Sequence, residues 1–328
     1  MQNAISVVIP NYNGVHLFPE TLPTVIRALA VCGLPSEIII VDDHSTDGSI
    51  SFLQNNYPDI RLIQNARNSG FSLTANRGVH AASHDLVLLL NSDVKLEPDY
   101  FQNLPAYFDR EDTFAVMGRI IGWDDNKIQD GAKYPSFQNA KIKTSKNYLL
   151  ENEADMKAGL FSMYVSGANA FLSKEKFLRL GGFDELFSPF YVEDFELSLR
   201  AWRIGWKCYY EHNAVCRHRT STSICSKDKK YFIKLVSNRN KWFAHAIHLS
   251  GGKRFLWMLQ LIPEVMLQTL LGKTYYLKAF ISFLKNGDNV RASRNRFERL
   301  SKDQKLLSIN EVAETILAAV KGKKLRVF

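Results

Sequence analysis

The chain has 328 residues, 46% of them hydrophobic and 23% charged, and a formal net charge of +9. That length supports a full hydrophobic core plus an appendage, and with no internal repeat or low-complexity tract it excludes a repeat or compositionally biased protein. The charge is divided unevenly: residues 1–224 carry 21 Lys and Arg against 26 Asp and Glu, whereas residues 225–328 carry 21 against 7.

Residues 5–10 form a short apolar, β-branched run that ends in Asn11 and Tyr12. Residues 20–34 follow with Leu22, Val25, Ile26 and Leu29 on one side, a helical pattern. Residues 37–41 are again strand-like and end in Asp42 and Asp43. A turn-rich stretch then allows Ser45 or Asp47 to cap a helix over 50–55. Residues 59–64 lead to Asn65 and Asn68, residues 69–82 read as a crossover helix, and 86–90 end in Asn91-Ser92-Asp93. Strand-like runs alternating with helical segments predict an α/β protein whose sheet is mostly parallel and covered by helices on both faces. In such a sheet the polar residues beyond the carboxyl ends of the strands line the ligand crevice.

Pro98-Asp99 predicts another helix, and residues 115–121 a further strand. Residues 123–158 are polar and weakly periodic and are expected to form a surface excursion or flexible loop. Order is expected to return over 161–172, where Ser166-Gly167-Ala168-Asn169 permits close backbone approach. Phe195, Leu199 and Trp202 share one helical face, which puts Glu193 and Asp194 at a helix N-terminus, where negative charge is favoured. A strand pair, 207–211 and 214–218, is expected to close a first domain of residues 1–224.

Residues 225–328 read as a basic helical extension. Residues 255–271 are mostly apolar, with Gln260, Glu264 and Gln268 in one narrow polar stripe and Pro263 near the middle. Seventeen residues are at the short limit for crossing a bilayer, so this helix and the apolar run at 275–284 are expected to lie in a membrane interface. The basic extension calls for an anionic partner, an anionic membrane surface being preferred to nucleic acid. Cys32, Cys208, Cys216 and Cys225 show no CxxC spacing and read as free thiols of a reducing compartment, and no secretory leader is evident.

Each polar cluster has an ordinary explanation when taken alone. Asp42-Asp43 can cap a helix, Asn91-Ser92-Asp93 can be a turn, Glu193-Asp194 a helix-terminal charge pair, and His218 a structural histidine. Their order is what carries weight. Val7-Val8-Ile9-Pro10-Asn11-Tyr12-Asn13-Gly14, Ile40-Val41-Asp42-Asp43, Asn68-Ser69-Gly70-Phe71, Leu90-Asn91-Ser92-Asp93, Gly181-Gly182-Phe183-Asp184-Glu185 and Glu193-Asp194-Phe195-Glu196-Leu197 follow one another across residues 4–220. This succession resembles the inverting family-2 glycosyltransferases of GT-A (Rossmann-like) fold, and within them the bacterial rhamnosyltransferases that build surface polysaccharide.

The resemblance implies an inverting glycosyltransferase that moves a sugar from a nucleotide-sugar donor, dTDP-rhamnose or a UDP-sugar, to a hydroxyl of a glycan or polyprenyl-linked glycan. It implies that Pro10, Tyr12, Asp43 and Asn68 hold the nucleotide. Asn91 and Asp93 stand at the Asp-x-Asp motif, with Asp93 and His218 as ligands of Mg²⁺ or Mn²⁺. Asp194 is implied as general base beside Glu193. Such a protein is expected in the cytoplasm, peripheral at the inner face of the cell membrane. One departure is Asn91, which stands where that motif has its first acid and supplies one fewer negative charge. It keeps open a catalytically inactive relative. A scaffold or nucleic-acid-binding protein using the basic extension is the non-enzyme reading. A sugar-1-phosphate nucleotidyltransferase needs a Gly-rich, Arg- and Lys-bearing loop after the first strand, where this chain has Pro10-Asn11-Tyr12-Asn13-Gly14.

Overall fold

A computed structural model describes residues 4–156, 159–219, 227–300 and 305–328. Its first ninety residues alternate as β1 (Ile5–Asn11), α1 (Phe18–Cys32), β2 (Ser36–Asp42), α2 (Ser49–Asn56), β3 (Arg61–Gln64), α3 (Phe71–Ala81) and β4 (Leu86–Leu90). β1 pairs in parallel with β2 and β4, and β2 with β3. Ile5, Val7, Val8 and the whole of β4 are buried, as strands covered on both faces require. Gly78 lets α3 lie on the sheet, because a Cβ there would meet Val8 Cγ1 at 2.3 Å.

The sheet then turns mixed. β5 (Val94–Leu96), β6 (Thr113–Gly122), β7 (Ile128–Asp130), the hairpin of β8 (Pro135–Gln138) and β9 (Lys141–Thr144), β10 (Tyr148–Leu150), α4 (Glu153–Met156), β11 (Leu160–Phe161) and β12 (Asn169–Ser173) follow in turn. After them come α5 (Lys174–Arg179), α6 (Glu193–Arg203) and β13 (Lys207–His218). β12 inserts antiparallel between β4 and β6, and β13 runs parallel to β6. The spatial order β11-β13-β6-β12-β4-β1-β2-β3 reverses direction of growth at β1 and β4, which opens a crevice at their carboxyl ends.

Three local expectations are corrected. Pro98-Asp99 begins a run of tight turns leading to a 3₁₀ segment at Pro105–Asp109 instead of an α-helix, since Pro105 has no N–H to give to Phe101. The segment expected as a loop over 123–158 contains β7 to β10, and Ala132, Ile142, Tyr148 and Leu150 are buried. Apart from Tyr148-Leu149-Leu150, most of its apolar residues stand singly among polar ones, so no period shows. The expected closing pair is one strand, β13, with a register shift between Glu211 and Val215.

The C-terminal part forms α7 (Lys227–His248), α8 (Gly251–Leu270), α9 (Tyr275–Lys285), α10 (Gly287–Leu300), α11 (Ile309–Val320) and β14 (Leu325–Val327). These pack into the same hydrophobic core as the sheet: Trp242, Phe243, Ile247 and Trp257 join Phe187, Leu199 and Trp202. β14 pairs with β10, and Arg296 of α10 meets Asp184 at 2.6 Å. α8 is apolar on two sides. Trp257, Leu261 and Val265 are buried against the protein and the polar stripe is half-buried, with Glu264 paired to Lys141, while Phe255, Leu259, Ile262, Met266 and Leu270 are exposed, the last to 83%. No described helix is long and apolar enough to cross a membrane. Cys32, Cys208 and Cys216 are free, and Cys225 lies outside the described residues.

Candidate active site

The crevice is built first from β1 and β2. Asn11 donates to Asp42 Oδ2 at 2.8 Å, and Asp42 Oδ1 accepts from the Ser45 N–H, which ties the two strand ends together. Asp47 accepts from the Val15 and Ser49 N–H groups and fixes the loop that opens α2. Asp43 is 4% exposed and accepts three hydrogen bonds: from Asn65 Nδ2 at 2.8 Å, Ser69 N–H at 2.9 Å and Gly70 N–H at 2.8 Å. A carboxylate has about four lone-pair sites, so one acceptor position remains for a ligand. Pro10 is half-buried at the end of β1, the Tyr12 ring is exposed beside it, and Asn68 is exposed on the loop after β3. Asn65, not singled out from the sequence as a site residue, is buried, binds Thr74 as well as Asp43, and accepts from Arg77.

Asn91, Ser92 and Asp93 occupy the turn between β4 and β5, where the Asn91 N–H is held by the Ala168 carbonyl at 3.0 Å. Asp93 Oδ2 lies 3.4 Å from His218 Nε2, and Asp93 Oδ1 is buried with no hydrogen-bond partner. His218 Nδ1 lies 3.0 Å from Gln129 Oε1, while Gln129 Nε2 donates to the His218 carbonyl at 3.3 Å. With the ring proton on Nδ1, shared with Gln129, the Nε2 lone pair faces the Asp93 carboxylate. Two acceptors facing each other, one with an orphaned second oxygen, fit a cation held by one carboxylate and one imidazole. Among the described residues no group of three or more His, Cys, Asp or Glu is placed to hold a metal ion. Mg²⁺ and Mn²⁺ suit such a sparse set, because a hard cation of this kind takes its remaining ligands from phosphate oxygens and water.

Glu193 and Asp194 open α6. Burial, and then the charge of Asp194, push the Glu193 carboxyl upward, and its Oε2 has no partner. Burial also raises Asp194, against the opposing pull of the Gly167 N–H on Oδ2 at 3.2 Å and its neighbour Phe195 N–H on Oδ1 at 2.7 Å. The turn before them is strained: Tyr191 has φ 74° and the β-branched Val192 φ 77°. Such residues cost roughly 1–3 kcal/mol each and persist only when their surroundings hold them. Here Asn240 of α7, fully buried, donates its amide to the carbonyls of Phe187, Phe190 and Tyr191 at 2.6, 3.1 and 2.9 Å. No sequence signal marked Asn240 beyond a weak helix former inside a helix.

Backbone bridges bring these clusters to one edge of the sheet. Gly167 joins Asp194 while its neighbour Ala168 joins Asn91. On the other side Gly70 binds Asp43 and the Phe71 N–H donates to the Pro189 carbonyl at 3.1 Å. Gly70 has φ 86°, and a Cβ there would meet the Pro189 backbone at 3.1 Å. Behind α6 a second network is closed: Glu196 pairs with Arg200 at 2.9 Å and accepts from His248 of α7 at 3.1 Å.

The family model described as Glycosyl transferase family 2 matches residues 6–177. An O-antigen chain rhamnosyltransferase of Salmonella typhimurium is 25% identical over 258 residues, covering 76% of this chain and 78% of that protein. An N-acetylglucosaminyl-diphospho-decaprenol L-rhamnosyltransferase of Mycobacterium tuberculosis is 23% identical over 243 residues, covering 64% and 77%. Among solved structures, GalNAc-T7 with UDP, GalNAc and Mn²⁺ superposes with a TM-score of 0.66 at 15% identity, over 97% of this chain and 57% of that one. The mannosyltransferase PcManGT of Pyrobaculum calidifontis with GDP-Man and Mn²⁺ gives 0.51 at 16% identity, over 97% and 86%. At these identities the likeness to solved structures establishes the fold.

Proposed function

The chain belongs to glycosyl transferase family 2, a glycosyltransferase of GT-A fold, and from that premise we propose an inverting transfer with Asp194 as the base. The donor is a nucleoside-diphosphate sugar, dTDP-rhamnose or a UDP-sugar, and the acceptor a hydroxyl of a glycan or polyprenyl-linked glycan in surface polysaccharide synthesis. The names of the two rhamnosyltransferase relatives support this choice. The observation that carries the mechanism is the Gly167–Ala168 bridge, which ties the Asp194 carboxylate to the turn bearing Asn91 and Asp93.

In this reading Pro10, the exposed Tyr12 ring and Asn68 flank the nucleotide, and the fourth acceptor position of Asp43 takes an N–H of the base. Asn91 offers an amide to the ribose or phosphate. Asp93 and His218 would hold Mg²⁺ or Mn²⁺, which would supply positive charge against that developing on the leaving diphosphate. Asp194 accepts the proton of the acceptor hydroxyl as its oxygen bonds to the anomeric carbon. The bond from that carbon to the diphosphate oxygen breaks, and the nucleoside diphosphate leaves with the electron pair. A single displacement from the far face inverts the anomeric configuration. Glu193, buried and raised in pKa, stays protonated beside the base and spares Asp194 a second negative charge. General-base assistance of this kind contributes typically ~10²–10⁴-fold.

The outward apolar face of α8 and the basic charge around it support docking on an anionic membrane at the cytoplasmic face, where a lipid-linked acceptor is presented. The test is Asp194→Asn: transfer should fall by two or more orders of magnitude while nucleotide-sugar binding, measured by calorimetry, is kept. Normal turnover by that variant removes the base assignment.

A further inference from the structure

α3 begins between Asp43 and the proposed base. Its first residue, Phe71, follows the Ser69 and Gly70 N–H groups that bind Asp43, and its own N–H donates to the Pro189 carbonyl. The Phe71 ring reaches the other way, to the Ser166–Asn169 turn. A Cβ built on Gly167 would meet Phe71 Cζ at 3.2 Å, Phe71 Cε1 at 3.4 Å and Asp194 Cβ at 3.8 Å. The φ of Gly167 is not left-handed, so what crowds out a side chain there is the Phe71 ring.

That ring has little room to retreat. Phe183 meets it edge-on with ring centres 5.5 Å apart, and the fully buried Phe177 backs Phe183 at 5.4 Å. Asn76, also on α3, fixes the Phe183 backbone twice: Nδ2 donates to its carbonyl at 2.8 Å, and Oδ1 accepts from its N–H at 2.7 Å. In an interior packed this closely a change of one methylene is felt by its neighbours. The backbone against the ring is the part that ties the site together. The Gly167 N–H donates to Asp194 Oδ2 at 3.2 Å, and the adjoining Ala168 carbonyl accepts from the Asn91 N–H at 3.0 Å. A displacement of Gly167 therefore disturbs the base and the Asn91–Asp93 turn together.

We propose that Phe71 is a positioning residue for the transfer: its ring sets where Gly167 lies and, through Gly167, where the Asp194 carboxylate is held. The role rests on the reading of Asp194 as the base. It gives the short segment from Ser69 to Phe71 a part in both halves of the site, the amides of Ser69 and Gly70 serving Asp43 and the ring of Phe71 serving Asp194.

The test is an exchange of size between the two residues in the full chain. The readout is kcat per folded molecule at saturating donor, from nucleoside diphosphate released on hydrolysis of dTDP-rhamnose or, where that is the donor turned over, UDP-glucose. Gly167→Ala crowds the ring, and Phe71→Leu leaves a gap against the glycine. Each should lower kcat about tenfold or more, since a reacting group misplaced by about 1 Å costs on the order of 10²-fold. In Phe71→Leu/Gly167→Ala the added methyl fills the vacated space, and kcat should return to within about threefold of the wild type. Wild-type kcat in both single variants overturns the proposal, because an aromatic packed for stability alone moves the melting temperature and not kcat. So does a double variant whose loss is the product of the two single losses, since the two positions then act independently. Should Gly167→Ala not fold, Phe71→Met and Phe71→Ala grade the same contact by volume: the first should keep most of kcat, the second less than about a tenth of it. Equal rates in those two overturn the role. Asp194→Asn separates the two assignments. If it is inactive while the size exchange brings no recovery, the positioning role alone falls; if it turns over normally, the base falls and the role of Phe71 with it.

Discussion

The Asn240 amide reaches the Tyr191 carbonyl at 2.9 Å, so a residue of the C-terminal extension holds the turn that delivers Asp194. The same amide serves Phe187 and Phe190, and Arg239 next to it donates to the Ser188 carbonyl at 2.6 Å. Asn240→Ala leaves buried carbonyls unpaired at about 1–3 kcal/mol each and releases the strained Tyr191–Val192 backbone. The expected result is a lower melting temperature and a kcat reduced by about 10²-fold, the cost of misplacing a reacting group by about 1 Å. A purely structural role would lower the melting temperature and leave kcat per folded molecule intact.

The pH profile reports on the base directly. In the proposed mechanism Asp194 works deprotonated, and burial raises its pKa above the usual carboxylate value of about 3.9. Below that raised pKa the group is protonated and idle, so the acid limb of kcat/KM should lie at higher pH than for an exposed carboxylate. The Asp130 charge also raises Asp194. Asp130→Asn should therefore shift the limb to lower pH; a limb that does not move removes Asp130 from the electrostatics of the site.

Acid stability belongs to a different carboxylate. Burial pushes Glu196 up, but the Arg200 guanidinium and the His248 hydrogen bond outweigh it and hold the group at about 2, below its ordinary 4.5. Burial lowers His248, so the triad is an ionised Glu196–Arg200 pair with a neutral imidazole donating to it. A depressed folded pKa contributes stability above about 4.5 that is lost as pH falls toward about 2. Urea unfolding from pH 7 to 3 should show that loss in the wild type. Glu196→Gln should be flatter over the same window and about 3–5 kcal/mol less stable at pH 7, the cost of stranding a buried partner.

Gln129 orients His218 and so should set metal affinity without touching the metal. Gln129→Ala is expected to weaken Mn²⁺ binding, titrated by electron paramagnetic resonance with nucleoside diphosphate present, by roughly 10–100-fold. His218→Ala should weaken it at least as much. Equal Mn²⁺ affinity in all three proteins would place the cation elsewhere.

The outward face of α8 should govern vesicle binding. Burying one Leu or Met side chain contributes about 1.5–3 kcal/mol, so Leu259→Glu with Met266→Glu should weaken sedimentation with anionic vesicles by two or more orders of magnitude. Turnover of a soluble acceptor should persist. Undiminished vesicle binding would mean that this face covers something other than lipid.

The sheet was legible because its strands are buried on both sides: Val7-Val8-Ile9 and Leu88-Leu89-Leu90 have no polar face to confuse the period. The polar residues at their carboxyl ends were legible for the same reason, being the first that a fully apolar strand could not absorb. Residues 128–150 were not, since Ala132 is buried between strands, Ile142 on a short hairpin strand, and Tyr148 on a three-residue strand whose partner lies at the far end of the chain. Asn65 was passed over in favour of Asn68 because only the fold shows which of two asparagines points at Asp43. Asn240 was illegible for a stronger reason. Its three partners lie some fifty residues earlier in the chain, and no local pattern encodes such a contact.

Gly70 donates to Asp43 while its backbone lies against Pro189, two residues before the strained turn. On the roles proposed for Asp43 and Asp194, a donor base that tugs on that carboxylate would pull, through a single tight backbone crossing, on the hinge of the proposed general base. Donor occupancy and base alignment would then be geared together, favouring an ordered reaction in which the sugar nucleotide enters first.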